Sequence, residues 1–218
     1  MIIKNNYFYF VFIATLTTLL TFVLSNFIQT DALYVQNLSE KYSQEIIAEI
    51  LNIRHQWSWL VYIFIPVLLY LSTSLITLII QLVIFLYYIN DNTHKVEYKD
   101  TWGIVLMAQW STLVGIFVKV FWFGFYHTQF TMDELQSFSP LSLINLFEKK
   151  TLDIWWIYPI QLVNVFEVAY WILLIIGIKK LLKTSWYKSF EIILLSYGLA
   201  LIVWVVVIMF ISLNFSQV

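Results

Sequence analysis

From Trp57 to Asn90 the chain runs for 34 residues without one charged side chain. As a helix that run would be about 51 Å long, whereas the hydrocarbon core of a bilayer is about 30 Å thick. A lipid-embedded chain accommodates such a run, and composition agrees. Hydrophobic residues make up 61% of the 218, charged residues 11%, and mean hydropathy is +0.81, where soluble domains carry about 25% charge. An integral membrane protein is expected, all-α, a polytopic bundle forming a single membrane domain.

Five spans fit. The first is predicted over residues 7–27, too long a core for a cleaved signal peptide and without a convincing small-x-small site. Pro66 offers a break in the long run, which places the second span at 67–89, with WSWLVYIFI before it either outside the span or continuing as an aromatic lead-in. The third covers 102–124, behind a cap at Asp100 or Thr101. The fourth covers 164–183 or 154–178, and the fifth 186–212.

The polar segments between them have helical signals of their own. In the loop 30–66, Leu38, Tyr42, Ile46, Ile50 and Ile53 recur at helical spacing behind a possible Ser39 cap, with Glu40, Glu45 and Glu49 on other faces. That predicts an amphipathic helix lying on the membrane or docking a partner. In the loop 125–163, Thr131 with Glu134 forms a capping box, and Ser139 before Pro140 is a second helix start. The links 90–101 and 179–188 are short and polar.

Five spans put the two ends on opposite sides. One side collects Lys4, Lys95, Lys99, Lys179, Lys180, Lys183 and Lys188 in short links; the other collects Lys41, Arg54, Lys149 and Lys150 in longer loops. Lys and Arg are retained on the cytoplasmic side, so a cytoplasmic amino end and an outer carboxyl end are predicted, with Lys179, Lys180, Lys183 and Lys188 setting the orientation. Trp57, Trp59, Trp122, Trp155 and Trp156 then form a belt at the outer face.

Several classes of chemistry lack their residues. A net charge of −1 gives no basic field for nucleic acid, and zero cysteines remove thiol catalysis and thiolate metal sites. His55, His94 and His127 sit in three separate segments without metal-ligand spacing, and no phosphate-binding glycine loop or GxSxG nucleophile is present. No cofactor, metal or catalytic constellation is expected. A loop site built from His127, Asp133 and Glu134 is the weakest reading, because the two acids already serve a helix start.

Two ionisable groups fall inside the apolar runs, Lys119 and Glu167, and such residues are functional candidates by default. A Glu that is buried neutral, or paired with Lys119, can equally serve as helix glue. Depth bears on the choice. A fourth span beginning near Ile154 puts Glu167 about 20 Å down, level with Gln109, whereas one beginning at Asn164, with Asn164 as cap and Glu167 at the third position, puts it about 5 Å down, level with Lys119. The cap spacing favours the second register, with Lys119 and Glu167 a structural pair.

The stretch NVFEVAYWILLIIGIKKLLKTSWYKSFEIILLSYGLAL, with Asn164 and Phe166 opening the fourth span, Gly177 near its end, a basic turn from Lys179 to Lys188 and a Lys-x-aromatic start to the fifth, resembles the Yip family of small five-span membrane proteins. KVEYKDTWGIVLMAQWSTL is similar to that family's approach to its third span. The resemblance implies a non-enzymatic role, as an accessory subunit in a bacterial plasma membrane, in some members beside MacB-type exporters. Membrane lipids and other membrane proteins are the expected partners. The leading expectation is therefore a scaffold or accessory subunit of a larger complex, such as an export or ABC-type system; the alternative is a small proton-coupled or lipid-handling transporter using Glu167 and Lys119.

Overall fold

A computed structural model of the chain describes residues 5–39, 41–89, 96–147 and 152–215. Lys4, Glu40, His94, Lys95, Lys149 and Lys150 lie outside the described residues. Helices α1 (Asn6–Val23), α2 (Asp31–Leu38), α3 (Gln44–Tyr87), α4 (Tyr98–Phe121), α5 (Met132–Ser137), α6 (Ile154–Leu162), α7 (Val165–Leu182), α8 (Trp186–Ile193) and α9 (Leu199–Phe215) account for most of them. Among the described residues the only β pairing is an isolated bridge between Ser142 and Asn164.

Four helical stretches are long and apolar enough to cross a membrane: Asn6–Ile28, Gln44–Tyr87, Tyr98–Tyr126 and Trp186–Asn214. Three of them include a π turn, where Gln29, His127 and Leu199 donate to the carbonyls of Leu24, Trp122 and Leu194. Side-chain hydroxyls in these helices also find partners locally, Thr17, Thr18, Thr73, Thr77 and Ser196 each donating to a carbonyl four residues back. That is the economical solution in hydrocarbon, where water supplies no partner. The segment expected to be the fourth span is divided, α7 alone carrying Glu167, Lys179 and Lys180 within its 18 residues.

Pro66 does not end a helix. It lies inside α3, a continuous helix of 44 residues, so the break expected there and the span 67–89 are replaced by one rod that begins after Ser43 rather than Ser39. Proline removes one backbone donor and crowds the carbonyl four back, a defect that membrane helices tolerate through their neighbours. α1 lies alongside, and the π turn that follows it is tied to α3 one turn before Pro66, by Ser25 and Asn26 at 2.8 and 2.7 Å from the Tyr62 hydroxyl.

Other expected starts fare differently. The Thr131 and Glu134 capping box forms in both directions, at 3.2 and 3.0 Å. Ser139 and Pro140 start no helix; they lead into a turn with Leu141 in the left-handed region, followed by a single 3₁₀ turn at Leu143–Leu146. The cap of α4 is Glu97, not Asp100 or Thr101.

Helix packing is organised on α4, which α7 contacts more extensively than any other pair in the fold. A Cβ on Gly177 would lie 2.3 Å from Ile104 Cγ2, and one on Gly115 3.1 Å from Phe166 Cδ2. These two contacts are eleven residues apart on each helix in opposite senses, so α4 and α7 run antiparallel in contact over about 16 Å. Closer to the start of α4, Trp102 is buried among Tyr7, Phe10, Tyr70 and Tyr98, and its Nε1 donates to Thr73 Oγ1 at 3.3 Å. This cluster joins α1, α3 and α4. At the opposite end Arg54 donates to Asp31 Oδ1 and to the carbonyls of Ser25 and Gln29, at 2.7 to 2.9 Å, and lies 4.2 Å from the Tyr34 ring centre.

The Gly177 contact makes a direct prediction. Gly177→Ala is expected to lower stability by about 1–3 kcal/mol, because Ile104 Cβ is also within 3.1 Å and a rotamer change alone does not clear the clash. Ile104→Ala in the same chain should recover part of the loss, read as non-additivity in reversible unfolding in mixed micelles.

Candidate functional site

The acid inside the apolar run sits where a helix is broken and restarted. α6 ends at Leu162, and α7 begins behind Asn164, whose side chain accepts from the Glu167 backbone at 2.8 Å. Of the two expected starts, α7 follows the Asn164 one, and the residues from Ile154 form a separate short helix rather than the beginning of one continuous span. The peptide groups freed by the break are taken up by the loop before α6. Leu143 N donates to Val163 O, Val165 N to Leu141 O, and Ser142 Oγ to Ile160 O and Gln161 O. Irregular backbone inside an apolar segment is tolerable only when protein covers it in this way.

Glu167 occupies the third position of α7 but does not reach back to its cap. Its Oε1 accepts from Trp171 Nε1 at 3.0 Å and from the Tyr197 hydroxyl at 2.7 Å. Trp171 is one turn further along α7, and Tyr197 comes from the π turn Leu194–Gly198. The π turn has a steric role as well. A Cβ on Gly198 would lie 2.8 Å from Trp171 Cη2, so the indole rests on bare backbone. Tyr197 packs against Tyr170 and Trp171 with ring centres 5.0 and 5.5 Å apart. One carboxylate oxygen thus joins α7 to the α8–α9 helix, and rings cover the joint.

The second oxygen, Oε2, has no hydrogen-bond partner among the described residues, and Glu167 lines a groove of about 570 Å³ between α6–α7 and α9. The walls are apolar, from Pro159 and Leu162 through Val168 and Ile172 to Leu201 and Val205, with Asn164 beside the acid. Above it Trp204 Nε1 donates to the Tyr158 hydroxyl at 2.7 Å, closing α6 onto α9.

The other residues singled out from the sequence are placed as follows. By the Gly115–Phe166 contact Glu167 lies level with Val114, about a turn and a half from Lys119, in the last turn of α4, and about a turn and a half from Gln109 on the other side. Lys179 and Lys180 form the last turn of α7, and Lys183 caps it in the left-handed conformation. Lys188 starts α8 behind the Ser185 cap. Beyond α4, His127 Nε2 is 3.9 Å from Glu134 Oε2, and Asp133 Oδ1 accepts from Asn37 at 3.5 Å. Among the described residues no three potential ligands converge on a metal position.

Sequence reasoning passed over Trp171, Tyr197 and Gly198. One signal for the first was present, a tryptophan one helical turn after the only acid of the run. Tyr197 carried none, because the π turn that aims it has no sequence signature.

Removing the hydroxyl in Tyr197→Phe and the carboxyl group in Glu167→Met should each destabilise the fold, and the double variant should lose less than their sum, with a coupling of about 1 kcal/mol. Additive losses in unfolding titrations would mean that the 2.7 Å contact contributes nothing. No known family model, curated protein or solved structure matches this chain.

Proposed function

We propose that the protein is a non-enzymatic scaffold or accessory subunit of a larger membrane complex, and that its partner docks along α3. The observation that carries this is the length of one exposed apolar stripe. Ile46, Ile53, Trp57, Phe64, Leu71, Leu78 and Leu82 all lie on one face of α3 and are all exposed. From Ile46 to Leu82 is ten helical turns, or about 54 Å. To keep all of it within about 30 Å of hydrocarbon the helix would need a tilt near 56°, outside the 0–40° range of membrane helices.

The outer end of the stripe is the part left over. Arg54 binds the carbonyls of Ser25 and Gln29 at the end of α1, and Ile46 lies two turns further out. Apolar side chains exposed there are best accounted for by a protein partner. In this reading α6 and α7 together make a fifth crossing, the amino end is cytoplasmic, the carboxyl end is outside, and the setting is a bacterial inner membrane. The resemblance to Yip-type proteins and to accessory subunits of export systems supports the same assignment.

Photo-cross-linking from position 53 and from position 75 separates partner from lipid. A benzophenone side chain at Ile53 should capture a protein of defined mass in native membranes, identified after mild-detergent purification, while one at Leu75 should capture lipid. Lipid alone at both positions, with the chain purifying by itself at native expression, would overturn the assignment.

The groove beside Glu167 supports a second reading, a small proton-coupled or lipid-handling transporter. An acid with one oxygen toward an apolar space is suited to carrying a proton or meeting a lipid headgroup. If that is its work, Glu167→Gln and Lys119→Met should abolish proton-linked flux or lipid exchange in vesicles; unchanged flux in both leaves the carboxylate as helix glue.

A further inference from the structure

The turn after α7 divides its lysines into two pairs. Lys179 Nζ lies 4.3 Å from the Trp186 ring centre, and Lys188 Nζ lies 5.9 Å from that of Tyr87. Lys180 and Lys183 have no ion pair or ring contact among the described residues and instead line a cavity of about 420 Å³ between the first turns of α4 and the second half of α7. Ile104 fills the position that a side chain at Gly177 would take, which brings α4 close to α7 beside this cavity.

The cavity is amphiphilic from end to end. Lys180, Lys183 and the one acid, Asp100, belong to the end where α4 begins and α7 stops, and Ile104, Met107, Leu173 and Ile176 continue it along the helices. Met107 is 41% exposed, so that wall opens sideways. A soluble anion would satisfy the lysines and leave the apolar wall bare. A phospholipid satisfies both, because its phosphate lies at the depth of the helix ends and its chain runs parallel to the helices.

We propose that this slot holds one anionic phospholipid of the adjoining leaflet, with its phosphate at Lys180 and Lys183 and an acyl chain along Met107, Leu173 and Ile176. Asp100 reduces the local charge to a single positive, which matches a monoanionic lipid, and offers its carboxylate to a headgroup hydroxyl. A glycerol headgroup supplies that donor, so phosphatidylglycerol is the best fit.

Native mass spectrometry of the full chain, released from phosphatidylcholine vesicles containing a minor fraction of phosphatidylglycerol, should show one phosphatidylglycerol retained in preference to phosphatidylcholine. Lys180→Gln and Lys183→Gln should each lower its retention roughly fivefold, while Lys179→Gln and Lys188→Gln leave it unchanged. Asp100→Asn should remove the preference for phosphatidylglycerol over phosphatidic acid, which has no headgroup hydroxyl. Equal loss in the two lysine pairs would show a diffuse surface charge and overturn the slot, as would equal retention of phosphatidylcholine. The substituted lysines 180 and 183 are exposed, and matched melting temperatures separate lost binding from lost fold.

Discussion

The close approach of α4 and α7 is the contact on which the other features depend. In lipid no hydrophobic force pushes helices together, so association rests on van der Waals fit and on polar groups with no better partner. Two glycines a little over 16 Å apart let Ile104 and Phe166 enter the opposite helix, and this fixes register and depth together. Glu167, Trp171, the α4–α7 slot and the lysine turn all take their level from it. The glycines act singly, each as a socket for one large side chain, rather than as a GxxxG face.

Polar atoms follow the same economy. Asn164 restarts α7, while Leu141 and Ser142 cover the break, so irregular backbone costs little there. Glu167 is held by an indole and a phenol on one oxygen. The turn between α7 and α8 is pinned by rings over Lys179 and Lys188 and by the Tyr87 hydroxyl donating to Glu191 at 2.9 Å. Several junctions between helices thus pair an aromatic surface with a polar contact.

Local signals in the sequence held at some helix starts and not at others: α3 and α4 start behind Ser43 and Glu97, not Ser39 and Asp100 or Thr101. Thr131 with Glu134 and Asn164 with Glu167 are caps whose geometry is written in four consecutive residues; the first forms in both directions, the second only as Asn164 accepting from the Glu167 backbone. Apolar length located the first, third and fifth helices to within a few residues. Failures came where a distant element decides the outcome. Pro66 is a breaker by its own chemistry yet lies inside a helix that continues through it; Ser139 and Pro140 signal a helix start but are drawn into pairing with the α6–α7 break. The candidate site was half legible for the same reason. Glu167 stands out in any apolar run, but its partner Tyr197 is thirty residues away and is aimed by a π turn.

That π turn has a consequence for the length of the chain. α9 is apolar on every side, so rotating it about its axis changes little of what it shows to lipid. Upstream, the five residues Leu194–Gly198 hold one more residue per turn than an α-helix does, and they aim both Tyr197 and the bare backbone of Gly198. A one-residue deletion in α8, between the Ser185 cap and that turn, would swing the phenol by roughly 100° about the helix axis and leave the acid with the indole alone. The same deletion toward the end of α9 would shorten a greasy rod and leave the lock intact. Variation in length is therefore tolerated toward the carboxyl end and excluded between the Ser185 cap and the turn.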